Sequence, residues 1–145
     1  KKNIYYHTGY VKKITDINLL YDCNMEMLEE RIRGEVFNEN RPILSKVKDS
    51  PPGVYGTLAE VKNCLVANGT KIFGICENCV IFRDALIEEG AKVKNSLIMQ
   101  RVNIGKDSVI ENCIIDKYAC ISKGVILKGK PGNPLVIKKG EKVPT

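Results

Sequence analysis

Aliphatic residues recur about every six positions through the second half of the chain. Between Val93 and Lys117 this series consists of Val93, Ile98, Ile104, Ile110 and Ile115. Their spacing of five or six residues fits neither an α-helix, with its period of about 3.6, nor a single strand, with its period of about 2. The pattern therefore indicates a structure in which about six residues make one unit, and internal repeats of this kind decide the architecture.

The repeat has a sharper signature around four asparagines. Each copy follows the pattern apolar-x-Asn-Cys/Ser-apolar-apolar, and the asparagines are Asn63, Asn78, Asn95 and Asn112. An aliphatic residue follows each of them after three positions: Val66, Ile81, Ile98 and Ile115. Isoleucine follows after nine positions: Ile72, Ile87, Ile104 and Ile121. A third row follows the last three asparagines after fifteen positions: Val93, Ile110 and Leu127.

Three inward positions in each coil predict a solenoid of short parallel strands. Each six-residue segment forms one side of a triangular prism, and its aliphatic side chain stacks on the equivalent side chains of adjacent coils. The corners need left-handed or tight backbone, which Gly, Asn and Asp tolerate. Glycines at fitting intervals are Gly69, Gly74, Gly90, Gly105, Gly124 and Gly140. A 17-residue coil is then an 18-residue coil with one shortened corner.

A different pattern precedes the coils. Residues 15–37 predict one helix, capped by Thr15 or Asp16 and ended or frayed by Gly34. Its apolar stripe has three- and four-residue spacing and consists of Ile17, Leu20, Tyr21, Met25 and Leu28. The methionines are expected to fill core space. A connector with three prolines follows, and proline stiffens such a segment.

Composition narrows the function classes. The 145 residues are 43% hydrophobic and 28% charged, and no apolar run approaches the ~20 residues of a membrane span. The net charge of +6 is scattered, which favours a solvated surface over nucleic-acid binding and leaves a small anionic ligand as the alternative. The polar start shows no signal peptide and no initiator Met, which favours a piece of a longer protein. Six cysteines without an export signal predict free thiols and a cytoplasmic location.

The repeats resemble the hexapeptide-repeat, left-handed parallel β-helix family over about residues 56–143. The left-handed winding is implied by this resemblance. After Leu127 the stretch KGKPGNP interrupts the rhythm, which Ile137 and Val143 resume. The predicted fold class is therefore mainly β, a left-handed parallel β-helix preceded by a short helical segment.

The segment before the coils resembles bacterial glucose-1-phosphate adenylyltransferases. In that family a motif like G-Y-W-x-D-V-G-T-I ends the catalytic domain, a helix with an Asn-Met pair follows, and a Pro-rich connector leads to the β-helix. Here G-Y-V-K-K-I-T-D-I (residues 9–17) precedes N-M-E-M-L (24–28) at the same spacing. The resemblance implies a nucleotidyltransferase-like remnant with a helix at 1–40, a connector at 41–55 and the β-helix domain at 56–145.

One departure from that family affects the expected activity. The family's metal-holding Asp aligns with Lys13, and the Gly two positions on aligns with Thr15. A lysine ammonium cannot ligate Mg²⁺, which takes oxygen ligands. This pattern resembles the non-catalytic or weakly catalytic GlgD-type branch, which implies a catalytic GlgC-type subunit as partner; the alternative is that Lys13 is a solvated charge.

The resemblance implies a regulatory and assembly role within a complex that converts ATP and glucose 1-phosphate to ADP-glucose and pyrophosphate. We expect no catalytic residue, metal or cofactor in this piece, since Mg²⁺ and ATP belong to the family's catalytic domain. A hexapeptide acyltransferase is the first alternative, but such enzymes usually need a histidine base, and His7 lies far from the coils. A pure scaffold protein is the second.

Candidate binding residues come from the basic side chains. The candidates for holding an anion are Arg41, Lys46, Lys48, Arg83 and Arg101, of which Arg41 and Arg83 are preferred. The resemblance implies a phosphorylated metabolite as the ligand. Cys76 and Cys79 have metal or redox spacing, but packing at a corner is favoured because no second ligand pair is near. Exposed strand edges at the end of the solenoid need capping or a partner, and the resemblance implies an oligomer with itself or with a catalytic subunit. Neither nucleic acid nor a membrane is expected as partner.

Overall fold

The computed structural model describes residues 2–145, in which two short helices precede a series of short strands. The helices are α1 (Ile17–Glu26) and α2 (Glu30–Val36). The strands are β1 (Val54–Tyr55), β2 (Glu60–Lys62), β3 (Leu65–Val66), β4 (Lys71–Ile72), β5 (Ile75–Ile81), β6 (Leu86–Ile87), β7 (Lys92–Ile98), β8 (Asn103–Ile104), β9 (Val109–Glu111), β10 (Cys113–Ile115), β11 (Cys120–Ile121), β12 (Ile126–Lys128), β13 (Leu135–Ile137) and β14 (Lys142–Val143).

The strands stack in parallel on three faces of a solenoid. Face 1 contains β1, β4, β6, β8, β11 and β14. Face 2 contains β2, the first half of β5, the first half of β7, β9 and β12; face 3 contains β3, the second halves of β5 and β7, β10 and β13. Each coil visits the faces in the order 1, 2, 3. The solenoid of short parallel strands, predicted from the six-residue period, is confirmed.

The repeat asparagines form the corner between faces 2 and 3. Each adopts left-handed backbone, with φ between 46° and 52°, a conformation that asparagine tolerates better than most residues. A single residue therefore turns the chain, which is the shortened corner that a 17-residue coil requires. The side chains also bond from coil to coil: Asn63 Nδ2 donates to Asn78 Oδ1 at 2.8 Å, and Asn78 Nδ2 donates to Asn95 Oδ1 at 3.2 Å.

The three predicted rows of aliphatic residues fill the interior. The row on face 1 is fully buried and consists of Ile72, Ile87, Ile104 and Ile121. The rows on faces 2 and 3 join it in one core cluster, in which the first and last members, Val66 and Leu127, are only partly buried. Ile137 and Val143 pair with Ile115 and Ile121, which confirms that the repeat resumes after the interruption.

The second coil (residues 71–85) is shorter than its neighbours at the corner between faces 1 and 2. That corner takes four residues in the third coil (86–102), namely 88–91, but only residues 73–74 in the second. The short corner brings the backbones together, since a Cβ on Gly74 would lie 2.3 Å from the carbonyl oxygen of Ala91. Gly74 is therefore required for close approach, whereas Gly69, Gly90, Gly124 and Gly140 supply left-handed corners as expected.

The prediction of one helix over residues 15–37 is wrong. Two helices form because the chain turns at residues 27–29, where the Arg33 side chain donates to the carbonyl oxygens of Met27 and Leu28 at 3.0 and 3.1 Å. Those carbonyls would otherwise be left unpaired at the end of α1. Asp16, one of the two predicted caps, accepts from the Leu19 amide at 2.9 Å. Gly34 lies inside α2, which buried Ile32 anchors, so the helix continues past the glycine.

Helix α1 packs on the outside of face 3. The outward row of that face is apolar and consists of Leu65, Val80, Leu97, Ile114 and Val136. Tyr21, Met25 and Leu28 pack on it, which confirms these three members of the predicted stripe and the role of Met25 as core filler, whereas Ile17 is 44% exposed. Tyr21 Oη also donates to the carbonyl oxygen of Asn95 at 2.6 Å. Among residues 2–145, neither helix has the length and apolar character that crossing a membrane demands.

Candidate functional site

The corner between faces 3 and 1 places a column of side chains on one edge of the solenoid. Each corner has four residues, and the third is left-handed: Gly69, Asp84, Arg101, Tyr118 and Gly140. Backbone bonds tie the corners together, for example from the Arg101 amide to the Arg83 carbonyl oxygen at 3.0 Å. Because the corners stack in register, polar side chains from residues 17 positions apart become neighbours.

Charge and aromatic contacts link that column. Arg101 Nε lies 3.7 Å from Asp84 Oδ2. The Arg101 guanidinium carbon lies 6.0 Å from the centre of the Tyr118 ring, and Lys139 Nζ lies 5.9 Å from the same ring. Both cations are at the outer limit of a cation–π contact. Two positive groups therefore lie near the Tyr118 ring on the same edge.

The connector completes a cleft against this edge. Its walls are formed by Lys48, Asp49, Ser50, Arg83, Asp84, Gln100, Arg101 and Tyr118. The Gly69 amide donates to the Pro51 carbonyl oxygen at 2.6 Å, which fixes the connector next to the first corner. Three cationic side chains face two carboxylates, so the cleft is net positive, and arginine can grip a phosphate or carboxylate through two parallel hydrogen bonds. We call this the Arg83 cleft.

The two preferred anion-binding residues line separate clefts. Arg83 lies in the Arg83 cleft with Lys48 and Arg101, which belonged to the wider set of candidates. Arg41 lines a different cleft, together with His7, Tyr10, Glu35 and Val36. The anion-binding role of Arg41 and Arg83 stays a prediction. Tyr118 was missed by sequence reasoning; its signal was its place 17 residues after Arg101.

A hydrogen-bonded cluster around Glu26 shares Tyr10 with the cleft of Arg41. Tyr10 Oη donates to Glu26 Oε2 at 2.5 Å, and Lys12 Nζ lies 2.9 Å from Glu26 Oε1. The hydrogen bonds from Tyr10 and then Lys12 hold the pKa of Glu26 below its usual value. Burial, followed by the bond to Glu26, raises the pKa of Tyr10. The cluster ties the segment before α1 to that helix, and Lys13 beside it is exposed.

The cysteines after the repeat asparagines are corner residues. Cys64, Cys79 and Cys113 each donate from Sγ to the carbonyl oxygen two residues earlier, at 3.1–3.2 Å, and Ser96 does the same from Oγ at 2.7 Å. The slot after each asparagine thus needs a small side chain with a donor, which supports the packing interpretation. Within residues 2–145, no group of three or more His, Cys, Asp or Glu side chains is placed to hold a metal ion.

Comparison with known proteins agrees with this architecture. The family described as GlmU-like, C-terminal hexapeptide matches residues 53–130. The glycogen biosynthesis protein GlgD of Bacillus subtilis (strain 168) is 41% identical over 136 residues, which cover 94% of this chain and 40% of that protein. The glucose-1-phosphate adenylyltransferase of Bacillus mycoides (strain KBAB4) is 30% identical over 120 residues, which cover 83% of this chain and 32% of that enzyme.

The similarity reaches beyond the repeats, because 136 aligned residues include part of the segment before the first coil. The chain spans 40% or less of the length of these relatives. The resemblance to the glucose-1-phosphate adenylyltransferases and to their GlgD-type branch is confirmed at the level of sequence. Since the hexapeptide match covers more than half of the chain and coincides with the observed coils, this chain belongs to the GlmU-like C-terminal hexapeptide family.

Proposed function

We propose that this chain is the regulatory and assembly part of a glucose-1-phosphate adenylyltransferase subunit that acts in glycogen biosynthesis. The similarity to a glycogen biosynthesis protein and to a glucose-1-phosphate adenylyltransferase supports the pathway. In this proposal the complete complex joins ATP and glucose 1-phosphate to give ADP-glucose and pyrophosphate. The solenoid carries no step of that reaction, and Mg²⁺ and ATP bind only to the catalytic domain of the complex.

The observation that carries the proposal is the packing of α1 on face 3. Leu97, which points outward from the solenoid on β7, has no solvent exposure in the cluster that α1 covers. The helix is in turn tied to residues 10–12 by the cluster at Glu26. A change in the coils is therefore transmitted through packed side chains to the segment that, in the proposed subunit, ends the nucleotidyltransferase domain.

The Arg83 cleft is the proposed effector site. Its cationic side chains come from the connector and from two successive coils, so an anion bound there contacts both parts. The ligand class that fits is a phosphorylated metabolite, since its negative charge and pairs of phosphate oxygens suit the planar arginine guanidinium. Arg41, in its separate cleft, is proposed as a second anion contact.

The proposed partners are a catalytic GlgC-type subunit, a second copy of this chain, or both. The last coil supports such an association because its strands end the sheets and Ile126 is 65% exposed there. An unpaired strand edge with an apolar residue is suited to meet another chain. The proposed location of the subunit is the cytoplasm, where the glycogen pathway supplies its substrates.

The test uses the full-length parent subunit mixed with the catalytic subunit. ADP-glucose formation is measured against increasing concentrations of a sugar bisphosphate and, separately, of inorganic phosphate. Replacing both Arg83 and Arg101 with Gln should raise the half-saturating effector concentration about tenfold or more, because each charge-assisted bond contributes roughly 1.5–3 kcal/mol. The matched control is Lys71→Gln, which removes an exposed cation from face 1.

The outcome also separates the alternatives. A pure scaffold would leave the rate of ADP-glucose formation unchanged when the two subunits are mixed. An acyltransferase would bind acetyl-CoA in a calorimetric titration. Its acyl-transfer step would also need a base on the coils, whereas His7 lines the cleft of Arg41. Unchanged effector response in the double variant would contradict the assignment of the Arg83 cleft.

A further inference from the structure

Two cysteines are stacked directly on each other where the solenoid begins. Leu65 pairs with Val80 in the parallel register, so the preceding residues, Cys64 and Cys79, occupy equivalent slots in the first two coils. Neighbouring strands lie about 4.8 Å apart. That spacing falls within the Cα separation of about 4.4–6.8 Å that a disulfide can bridge. Both are free thiols in this structure.

The two thiols differ in access to solvent. Cys64 is half-buried because the first coil (residues 54–70) has no coil above it on faces 2 and 3. Cys79, one coil further in, has no solvent exposure. A dissolved oxidant therefore meets Cys64 first, and Cys79 is the nearest equivalent sulfur behind it.

The more accessible thiol, Cys64, is also the more acidic of the two. The neighbouring Cys79 side chain lowers the pKa of Cys64 to about 7, against the opposing effect of burial. The Cys64 side chain, followed by burial, raises the pKa of Cys79. The thiolate is the nucleophilic form of cysteine. Cys64 thus has the character of an attacking thiol and Cys79 that of a resolving thiol.

We propose that Cys64 and Cys79 form a peroxide-oxidisable pair that closes a disulfide between the first two coils. The Cys64 thiolate attacks the O–O bond of a hydroperoxide such as hydrogen peroxide, which gives a sulfenic acid and, after protonation, water. The Cys79 thiol then displaces the hydroxyl group of the sulfenic acid as a second water. In total two thiols and one hydrogen peroxide become one disulfide and two waters.

The residues that follow the other two repeat asparagines provide an internal control. The next two slots are Ser96 and Cys113, so the inward neighbour of Cys79 is a hydroxyl and Cys113 has no cysteine beside it in the ladder. Cys113 is also buried, and burial raises its pKa. Ser96 further shows that serine fits this slot when it is fully buried. The substitutions C79S and C113S should therefore both preserve the fold.

The experiment exposes the purified 145-residue chain to hydrogen peroxide at pH 7. Free thiols are then alkylated under denaturing conditions, and peptides are analysed by mass spectrometry. Cleavage after Glu77 separates Cys76 from Cys79, so their cross-links can be distinguished. We expect a Cys64–Cys79 cross-link with a mass lower by two hydrogens, which C64S and C79S abolish and C113S leaves intact. In C79S, dimedone should capture the sulfenic acid on Cys64.

A second measurement tests the acidity of Cys64 separately from the cross-link. At pH 7 a thiol with a pKa near 7 is about half ionised, whereas an ordinary thiol is only a few per cent ionised. Alkylation of native protein should therefore modify Cys64 about tenfold faster than Cys113. The proposal is overturned if peroxide leaves Cys64 reduced, if it links Cys64 to Cys76 instead, or if Cys113 is alkylated as fast as Cys64.

Discussion

Faces 2 and 3 have the same backbone and the same kind of inward row but opposite outer surfaces. Beside the asparagine corner, face 2 presents alternating charges outward, on Lys62, Glu77, Lys94, Glu111 and Lys128. Two of these pairs lie within ion-pair distance: Lys94 with Glu77 at 3.3 Å and Lys128 with Glu111 at 3.6 Å. On the other side of the same corner, face 3 presents an apolar row that α1 covers.

This difference between the outer surfaces shows that the inward and outward rows of a coil have separate roles. The inward rows close the prism and are alike on all three faces, because each coil must bury its apolar side chains against the next. The outward rows decide what each face meets. Alternating charge suits water, whereas a second apolar row costs free energy unless another element covers it. One residue, the left-handed asparagine, changes the surface from one kind to the other.

The largest expected effect comes from truncating adjacent residues on face 3. Leu97 points outward and Ile98 inward, yet both have no solvent exposure. Because both substitutions leave a cavity, Leu97→Ala and Ile98→Ala should each lower the free energy of unfolding by about 2–5 kcal/mol. Urea denaturation followed by far-ultraviolet circular dichroism measures both.

Face 2 supplies the control for this pair. Val93 points inward and is buried, while Lys94 points outward and is exposed. Val93→Ala should clearly lower the unfolding free energy, whereas Lys94→Ala should change it by less than about 1 kcal/mol. If Leu97→Ala is as mild as Lys94→Ala, then α1 does not cover face 3 in solution, and the comparison fails.

The next effect tests the corner that separates the two faces. Asn78 has φ of 52° and bonds to the asparagines of both neighbouring coils. Asn78→Ala should cost about 1–2 kcal/mol for the left-handed backbone alone, in addition to the lost side-chain bonds. Asn78→Gly accepts the same backbone, so it should be the milder of the two. Equal losses in the two variants would show that backbone conformation is not the reason for asparagine.

Much of the fold could be predicted from residue pattern alone. The six-residue period specified the parallel coils, since each inward residue packs against its own equivalents and needs no distant partner. The sequence also contained a signal for the covered face: the doublets Leu65-Val66 and Leu97-Ile98 are apolar on both sides, which is typical of strands buried on both faces. The six-residue period involves only the inward member of each doublet, so it does not by itself predict the covered face.

The rest depended on contacts between segments far apart in sequence. The break between α1 and α2 follows from Arg33 bonding to carbonyls five and six residues earlier, which helix periodicity does not reveal. Likewise, the Arg83 cleft arises because the connector passes beside stacked corners. Arg83 was found as a basic residue after a repeat, whereas Tyr118 required knowing that corner residues 17 positions apart become neighbours.

A smaller effect is expected at the contact between α1 and the corner. Tyr21→Phe removes the hydrogen bond from Tyr21 Oη to the Asn95 carbonyl oxygen and leaves the ring in place. The loss should be about 1 kcal/mol of unfolding free energy. The matched control is Tyr5→Phe, since Tyr5 is 86% exposed. An unchanged unfolding free energy in Tyr21→Phe would mean that the ring alone anchors the helix.

The same residue predicts a pH dependence. Burial raises the pKa of Tyr21 to about 12, above the value of about 10 for tyrosine in an unfolded chain. Its contribution is therefore fully present below pH 10 and is lost as pH rises from 10 towards 12, because the unfolded state releases the phenolic proton first. Stability measured at pH 9 and pH 11 should fall less in Tyr21→Phe than in the parent chain. An identical fall in both chains would assign the alkaline loss to other groups.

The smallest effect is expected on face 2. Lys94 Nζ lies 3.3 Å from Glu77 Oε2, and both side chains are more than a third exposed. An exposed pair of this kind contributes roughly 0.2–1 kcal/mol, so Lys94→Gln should lower stability by no more than that. Because salt screens exposed charges, the difference from the parent chain should shrink between about 0.05 and 1 M NaCl. A loss that persists in high salt would show that this row contributes through packing rather than charge, and the contrast between the two faces would then be one of degree.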